Sequence, residues 1–250
     1  KIKGDIIIIG NSRSYRSFDI NFLERNFNNK KVINLSSVGN PTVVSEVNLK
    51  NFYDLVGKPK IVIMEFSNLF NDEEAILNFR PFQGKNTKID NLINLYYPKY
   101  FLFGEIFHLF RFNTSHTIIL LYKIINTSLN NVLYGTTELN IKNLNLKNYK
   151  IKSFRHSKIF EDNLNSFKNI ILFCEKNSID LKIIISPIYI KDNPSQLQKE
   201  IFLDLFPNLK IWDFSNINSL TDNDFYDINH LNSEGVKKFM QELENRKFFN

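Results

Sequence analysis

The chain carries one cysteine, Cys174, among 250 residues, which excludes an internal disulfide and any cysteine-based metal cluster. No apolar run reaches the roughly 18 residues that a membrane-spanning helix needs. No Gly-x-Gly-x-x-Gly follows the first apolar run, so a dinucleotide fingerprint is missing. Zinc-finger, helix-turn-helix and RNA-binding signatures are missing as well. The formal charge of +6 and the isoelectric point near 9.2 come from lysines scattered among asparagines, with no basic block. That distribution predicts a solvated basic surface suited to anionic glycans or a membrane face, and no nucleic-acid groove. There is no internal repeat, no low-complexity tail and no signal peptide. The chain opens at Lys1 without an initiator Met and enters a strand almost at once, as a processed protein would. Any membrane association is therefore expected through a segment before Lys1.

What is present is enough apolar side chain, 43% of residues, to fill a sizeable core. Ile6 to Ile9 form an uninterrupted apolar run, the pattern of a strand covered on both faces. Ile20, Leu23 and Phe27 then recur at helical spacing, with Ser17 or Asp19 placed to cap. Val32 to Leu35 reads as a second strand, and Asn40 with Pro41 opens a helix that runs to about Val56. Ile61 to Phe66 reads as a third strand. Short connections between alternating strands and helices predict right-handed crossovers and a parallel sheet.

The alternation fails between about Leu69 and Arg155, a stretch dense in aromatics such as Tyr96, Tyr97, Tyr100, Phe101, Phe103, Phe107, Phe110 and Phe112. A mostly helical insertion over 69–155 is expected, with Thr127 to Tyr149 as a polar connector. Its aromatics either pack on the parent domain or form a lid, substrate platform or membrane-facing patch. The alternation resumes with a helix over Phe160 to Glu175, in which Phe160, Leu164, Phe167, Ile171 and Cys174 share one face, making Cys174 a core thiol. Strands at Leu181 to Ser186 and Leu209 to Phe214 flank a helix begun by Asn193 and Pro194. A last helix runs from about Ser233 to Arg246, with Val236, Phe239, Met240 and Leu243 inward. The expected fold is a single domain, a three-layer α/β/α sandwich on five parallel strands, with ligands at the carboxyl ends of the strands.

Two short stretches carry chemistry. Gly10-Asn11-Ser12-Arg13-Ser14 ends the first strand in a sharp turn that could present Ser12 as a nucleophile. The same pattern opens nucleotide-binding domains, and serines in such turns commonly cap the next helix. Asp227-Ile228-Asn229-His230 stands just before the last helix. A carboxylate three residues before a histidine can hold one imidazole nitrogen while the other faces outward as a base. Half a metal site or a surface turn would read the same way. His108, His116 and His156 show no metal-ligand spacing, and no metal or cofactor is expected.

Together Ser12, Asp227 and His230 make the chain resemble the SGNH (GDSL-like) hydrolase and acyltransferase superfamily, over 1–68 and 156–250. The nucleophile block reads Gly10-Asn11-Ser12, with Asn where the commonest form has Asp. Asp227-x-x-His230-Leu231, followed by Gly235, matches the last block. The resemblance implies a flavodoxin-like sheet and an acyl-enzyme mechanism in which Ser12 attacks, His230 takes its proton and Asp227 orients His230. It implies an oxyanion hole from the backbone N–H groups of Ser12 and Gly39 and the Asn68 amide. Asn71-Asp72 stands slightly later as the alternative to Asn68, because Phe66-Ser67-Asn68 departs from the family's Gly-x-Asn-Asp. Arg13, as a binder of carboxylate or phosphate or as one half of an ion pair, and Asn11 are further candidates for substrate contact. The expected activity is that of an esterase or O-acyltransferase on an O-acylated glycan or other ester of the bacterial cell envelope. The alternative is a silent module of the same fold that binds a glycan or a protein.

Overall fold

The computed structural model describes residues 4–113, 158–189 and 194–249. Five strands, β1 (Ile6–Ile9), β2 (Val32–Asn34), β3 (Ile61–Glu65), β4 (Asp180–Ile185) and β5 (Ile211–Asp213), form one sheet in the order β2-β1-β3-β4-β5. Every pairing is parallel, with Ile6 opposite both Val32 and Ile61. The fold is an α/β sandwich of the flavodoxin-like order.

Side chains alternate across the sheet because successive strand residues face opposite ways. Ile6, Ile8, Ile63 and Ile184 join one core with Leu23, Phe27, Phe214, Phe239 and Leu243. Ile7, Ile9, Val62, Met64, Ile183 and Ile185 join the other with Leu49, Phe52, Phe167 and Ile170. Both faces are therefore dry, which explains why β1 and β3 read as apolar runs. Helices α1 (Ser12–Ser17) and α2 (Ile20–Asn26) follow β1, and α3 (Thr42–Leu55) follows β2. The expected helix is thus α2, capped by Asp19, which accepts from the Phe22 N–H at 3.1 Å, and the shorter α1 precedes it. Pro41, not Asn40, occupies the cap position of α3; the Asn40 carboxamide accepts from the Ser37 hydroxyl at 2.7 Å instead.

Within the expected insertion the described part is helical. It holds a 3-10 segment (Glu74–Phe82), α4 (Thr87–Tyr96), α5 (Pro98–Ile106) and a 3-10 turn (His108–Phe112). Ile76, Ile89, Leu92 and Ile93 make a third core against Val43 and Val44 of α3. Beyond it the large apolar side chains divide. Tyr96, Tyr97 and Phe101 pack on that core, whereas Leu102, Phe103, Ile106, Phe107, Leu109 and Phe112 are exposed, as is His108. The Thr127–Tyr149 connector, His116 and His156 lie outside the described residues. Helix α6 (Lys158–Lys176) leads to β4, α7 (Pro194–Leu205) precedes β5, and α8 (Ser233–Asn245) closes the chain. On α6 the buried face is centred on Ile159, Phe160, Asn163, Phe167, Ile170 and Cys174. Leu164 and Ile171 sit at its half-buried edges. Among the described residues no helix is long and apolar enough to cross a membrane.

Candidate active site

The chain leaves β1 at Gly10, whose φ of +148° is unfavourable for any residue with a side chain. A Cβ there would also lie 2.3 Å from the Ser14 hydroxyl oxygen. Glycine thus allows the strand to turn within two residues into α1, with Asn11 as the cap and Ser12 as the first helical residue. In that position the Ser12 N–H has no intrahelical acceptor. The hydroxyl stands at the carboxyl edge of the sheet, beside the loops after β2 and β3.

At the far end of the chain, a tight loop delivers the histidine. Tyr226 N–H donates to the His230 carbonyl at 2.8 Å, and Phe225 bridges Leu231 in antiparallel fashion. Asp227 Oδ1 accepts from the backbone N–H groups of Asn229 at 2.7 Å and His230 at 2.9 Å, which fixes the carboxylate before it meets the ring. The loop is fastened to α8 by Asn232, whose side chain caps the helix and reaches the Asn223 carbonyl at 2.6 Å. Gly235 is the contact point beneath, because a Cβ there would lie 2.1 Å from the Asp224 carbonyl oxygen.

These two elements meet. Both carboxylate oxygens of Asp227 lie 2.8 Å from His230 Nδ1, and His230 Nε2 lies 2.8 Å from Ser12 Oγ. A carboxylate only accepts, so Nδ1 carries the hydrogen and Nε2 faces the serine as a base. Burial pushes the Asp227 carboxyl up, but hydrogen bonds from the His230 ring and the Asn229 backbone together outweigh it. The acid ends below its ordinary value and stays charged.

No family model matches the chain, and no curated protein or solved structure matches it. The site therefore rests on its own geometry.

Asn68 and Asn11 are placed differently from their anticipated roles, and Arg13 takes the ion-pair alternative. Asn68 is fully buried, its amide donating to Ser45 Oγ at 2.9 Å while its oxygen accepts from Thr42 Oγ1 at 3.2 Å. Both hydroxyls belong to α3, so the buried Asn68 ties the end of β3 to that helix. Asn71, half-buried at the end of the same 3-10 turn (Phe66–Phe70), accepts on Oδ1 from Asn11 Nδ2 at 2.8 Å. Its backbone carbonyl accepts from Asn163 Nδ2 at 2.9 Å. Its own Nδ2 has no acceptor among the described residues and lies beside the nucleophile turn.

Asn11 and Arg13, expected as substrate contacts, belong to the scaffold. Asn11 is 5% exposed and divides its hydrogen bonds among Arg13 N–H, Ser67 Oγ and Asn71. Arg13 is 4% exposed. Its guanidinium donates to the carbonyls of Ser186 at 2.7 Å and Pro187 at 3.2 Å, and Nε stands 3.7 Å from Glu65 Oε1. Arg13 is thus one half of an ion pair with Glu65. Glu65, fully buried at the end of β3, also accepts from the backbone and hydroxyl of Ser67. Arg13 thus crosses from the β1 turn over β3 to the end of β4.

Gly39 lies in the loop after β2, the strand next to β1, with a φ of +73° and Ala75 packed against it. Glu65 and Asn163 escaped sequence reasoning. The traces they leave are a lone acid in the apolar run Ile61-Val62-Ile63-Met64-Glu65-Phe66 and a lone amide on the apolar face of α6. Cys174 is buried at 1% exposure, and burial pushes its thiol up to about 12, which leaves it inert as a nucleophile. Among the described residues no group of three or more His, Cys, Asp or Glu is placed to hold a metal ion.

Proposed function

We propose that the protein is a serine-dependent esterase or O-acyltransferase of SGNH type, working through an acyl-enzyme. The observation that carries this reading is the unbroken line from Asp227 through His230 to Ser12, each link 2.8 Å long. Ser12 Oγ attacks the ester carbonyl as its proton passes to His230 Nε2, and Asp227 stabilises the imidazolium that forms. The tetrahedral intermediate collapses, the C–O bond to the alcohol breaks, and the alcohol leaves with the proton from Nε2. A water or an acceptor hydroxyl then attacks the acyl-enzyme in the same manner and frees Ser12.

The developing oxyanion is met by the backbone N–H groups of Ser12 and Gly39 and by the Asn71 amide. Asn71 replaces Asn68 in this role because its Nδ2 has no acceptor among the described residues while its oxygen is pinned. The acyl carrier is an O-acylated carbohydrate, by resemblance to the family, and the exposed aromatic surface beyond α5 is suited to stacking on sugar faces. The site residues support this reading over a silent binding module, whose serine and histidine would stand out of reach of one another.

The test is turnover of an aryl acetate and labelling by a serine-directed phosphonate, with wild type set beside Ser12→Ala. Wild type should do both and the variant neither; equal behaviour of the two would refute the proposal. Adding a glycan acceptor and following acyl transfer by mass spectrometry separates transferase from hydrolase.

A further inference from the structure

Between α1, the start of α2, the loop that carries His230 and the start of α8 is a cavity of about 390 Å³ that the reaction above does not use. Its floor is apolar, made by Phe18, Leu231 and Val236, and its rim holds Arg16, Tyr226 and Lys237. The volume falls within the range of small-molecule sites, and the mixture of an apolar floor with a few polar groups is typical of them. Two of its lining residues are chain neighbours of the candidate site. Arg16 stands four residues after Ser12 on α1, so both side chains leave the same face of the helix, one turn or about 5.4 Å apart. Tyr226 immediately precedes Asp227 and is bonded to the His230 carbonyl.

The charge balance of the cavity singles out Arg16. Its guanidinium carbon lies 5.5 Å from the centroid of the Tyr226 ring, and among the described residues it has no carboxylate partner. Asp19, the acid on this wall, is taken up as the cap of α2 through the Phe22 N–H. Lys237 is paired with Glu234 at 2.7 Å. A planar guanidinium steadied by an aromatic face and lacking a counter-ion is matched by an oxyanion that accepts two parallel hydrogen bonds. We infer that this cavity seats the non-acyl part of the ester, and that Arg16 selects for a carboxylate or phosphate on that part. The inference rests on the reading of Ser12 as the nucleophile, since Arg16 stands one helical turn from Ser12.

Three acetates test it: phenyl acetate, 3-acetoxybenzoate and 3-acetoxyphenyl phosphate. The quantity read is the ratio of kcat/KM for each charged ester to that for phenyl acetate. In Arg16→Gln this ratio should fall by about tenfold or more from its wild-type value, the scale of one charge-assisted bidentate contact. Arg16→Lys should recover only part of it, because an ammonium lacks the fork. Whichever charged ester shows the larger fall identifies the anion that the site prefers. An unchanged ratio for both overturns the inference. So does benzoate that stimulates phenyl acetate hydrolysis instead of competing with 3-acetoxybenzoate. If wild type turns over none of the three, the reading of Ser12 fails on its own. The cavity is then judged by equilibrium binding of benzoate and phenyl phosphate. Weakening of about tenfold in Arg16→Gln supports an oxyanion site, and equal binding in both proteins overturns it.

Discussion

Asn11 Nδ2 donates to Asn71 Oδ1 at 2.8 Å, joining the residue before Ser12 to the loop after β3. The amide that this contact orients should be the oxyanion donor. Asn71→Ala is expected to lower kcat by on the order of a hundred- to a thousandfold with KM little changed. Asn68→Ala should behave in the opposite sense, keeping kcat in its folded fraction. It should lose roughly 1–3 kcal/mol of stability, because the Ser45 and Thr42 hydroxyls are left unpaired in the core. Steady-state kinetics and urea unfolding on both variants decide between the two asparagines.

Arg13 and Glu65 form a buried pair whose partners depend on each other. Removing one charge leaves the other without compensation, so Arg13→Met should cost about 3–5 kcal/mol. The double variant Arg13→Met, Glu65→Gln should be more stable than Arg13→Met alone, which a double-mutant cycle in denaturant measures. A simple sum of the two single effects would show that the charges do not interact. KM for a neutral aryl acetate should not follow the loss of Arg13, since the guanidinium does not face the substrate.

Gly235 sets the distance between α8 and the loop that carries His230. Alanine there places a Cβ within 2.1 Å of the Asp224 carbonyl oxygen, so helix or loop must move. Gly235→Ala is expected to lose about 1–3 kcal/mol through overpacking. It should also lower kcat more than Val236→Ala does, because the displaced loop holds Asp227 and His230. Thermal unfolding and turnover, measured on both variants, check this.

Acid should unfold the protein through the same loop. Burial pushes the Asp224 carboxyl up, but the Lys238 ammonium and the Thr221 hydroxyl and N–H outweigh it, and the group ends below its ordinary value. Asp227 is lowered too. A carboxyl with a depressed folded pKa adds stability above its unfolded value, about 3.9, and loses that share as pH falls through the folded pKa. The unfolding midpoint should therefore drop as pH falls below about 4. Asp224→Asn should be less stable than wild type at pH 7 and show a shallower acid decline. Thermal melts of both proteins between pH 2 and 7 give the comparison.

Much of this was legible in the chain itself. The five strands were placed to within two residues of their ends, because a strand buried on both faces is an apolar run bounded by turn residues. Asp227 and His230 were found for a similar reason, since three residues of a tight turn bring a carboxylate to an imidazole by local geometry alone. Helix α1 was not legible, because Ser12–Ser17 has no apolar period of its own.

The Gly-Asn-Ser turn and the Asp-x-x-His turn are thus properties of the sequence, each set by a few adjacent torsions and hydrogen bonds. Their meeting across 218 residues is a property of the tertiary structure. So is the choice between Asn68 and Asn71. Residues three apart in one 3-10 turn look equivalent in sequence, and what separates them is Ser45 and Thr42 of α3 on one side and Asn11 on the other. Arg13 and Arg16 make the same point. Three positions apart on one short helix, they share nearly one face, yet one is buried over Glu65 and the other lines an open cavity, because the neighbours packed at each level of the helix decide what is core.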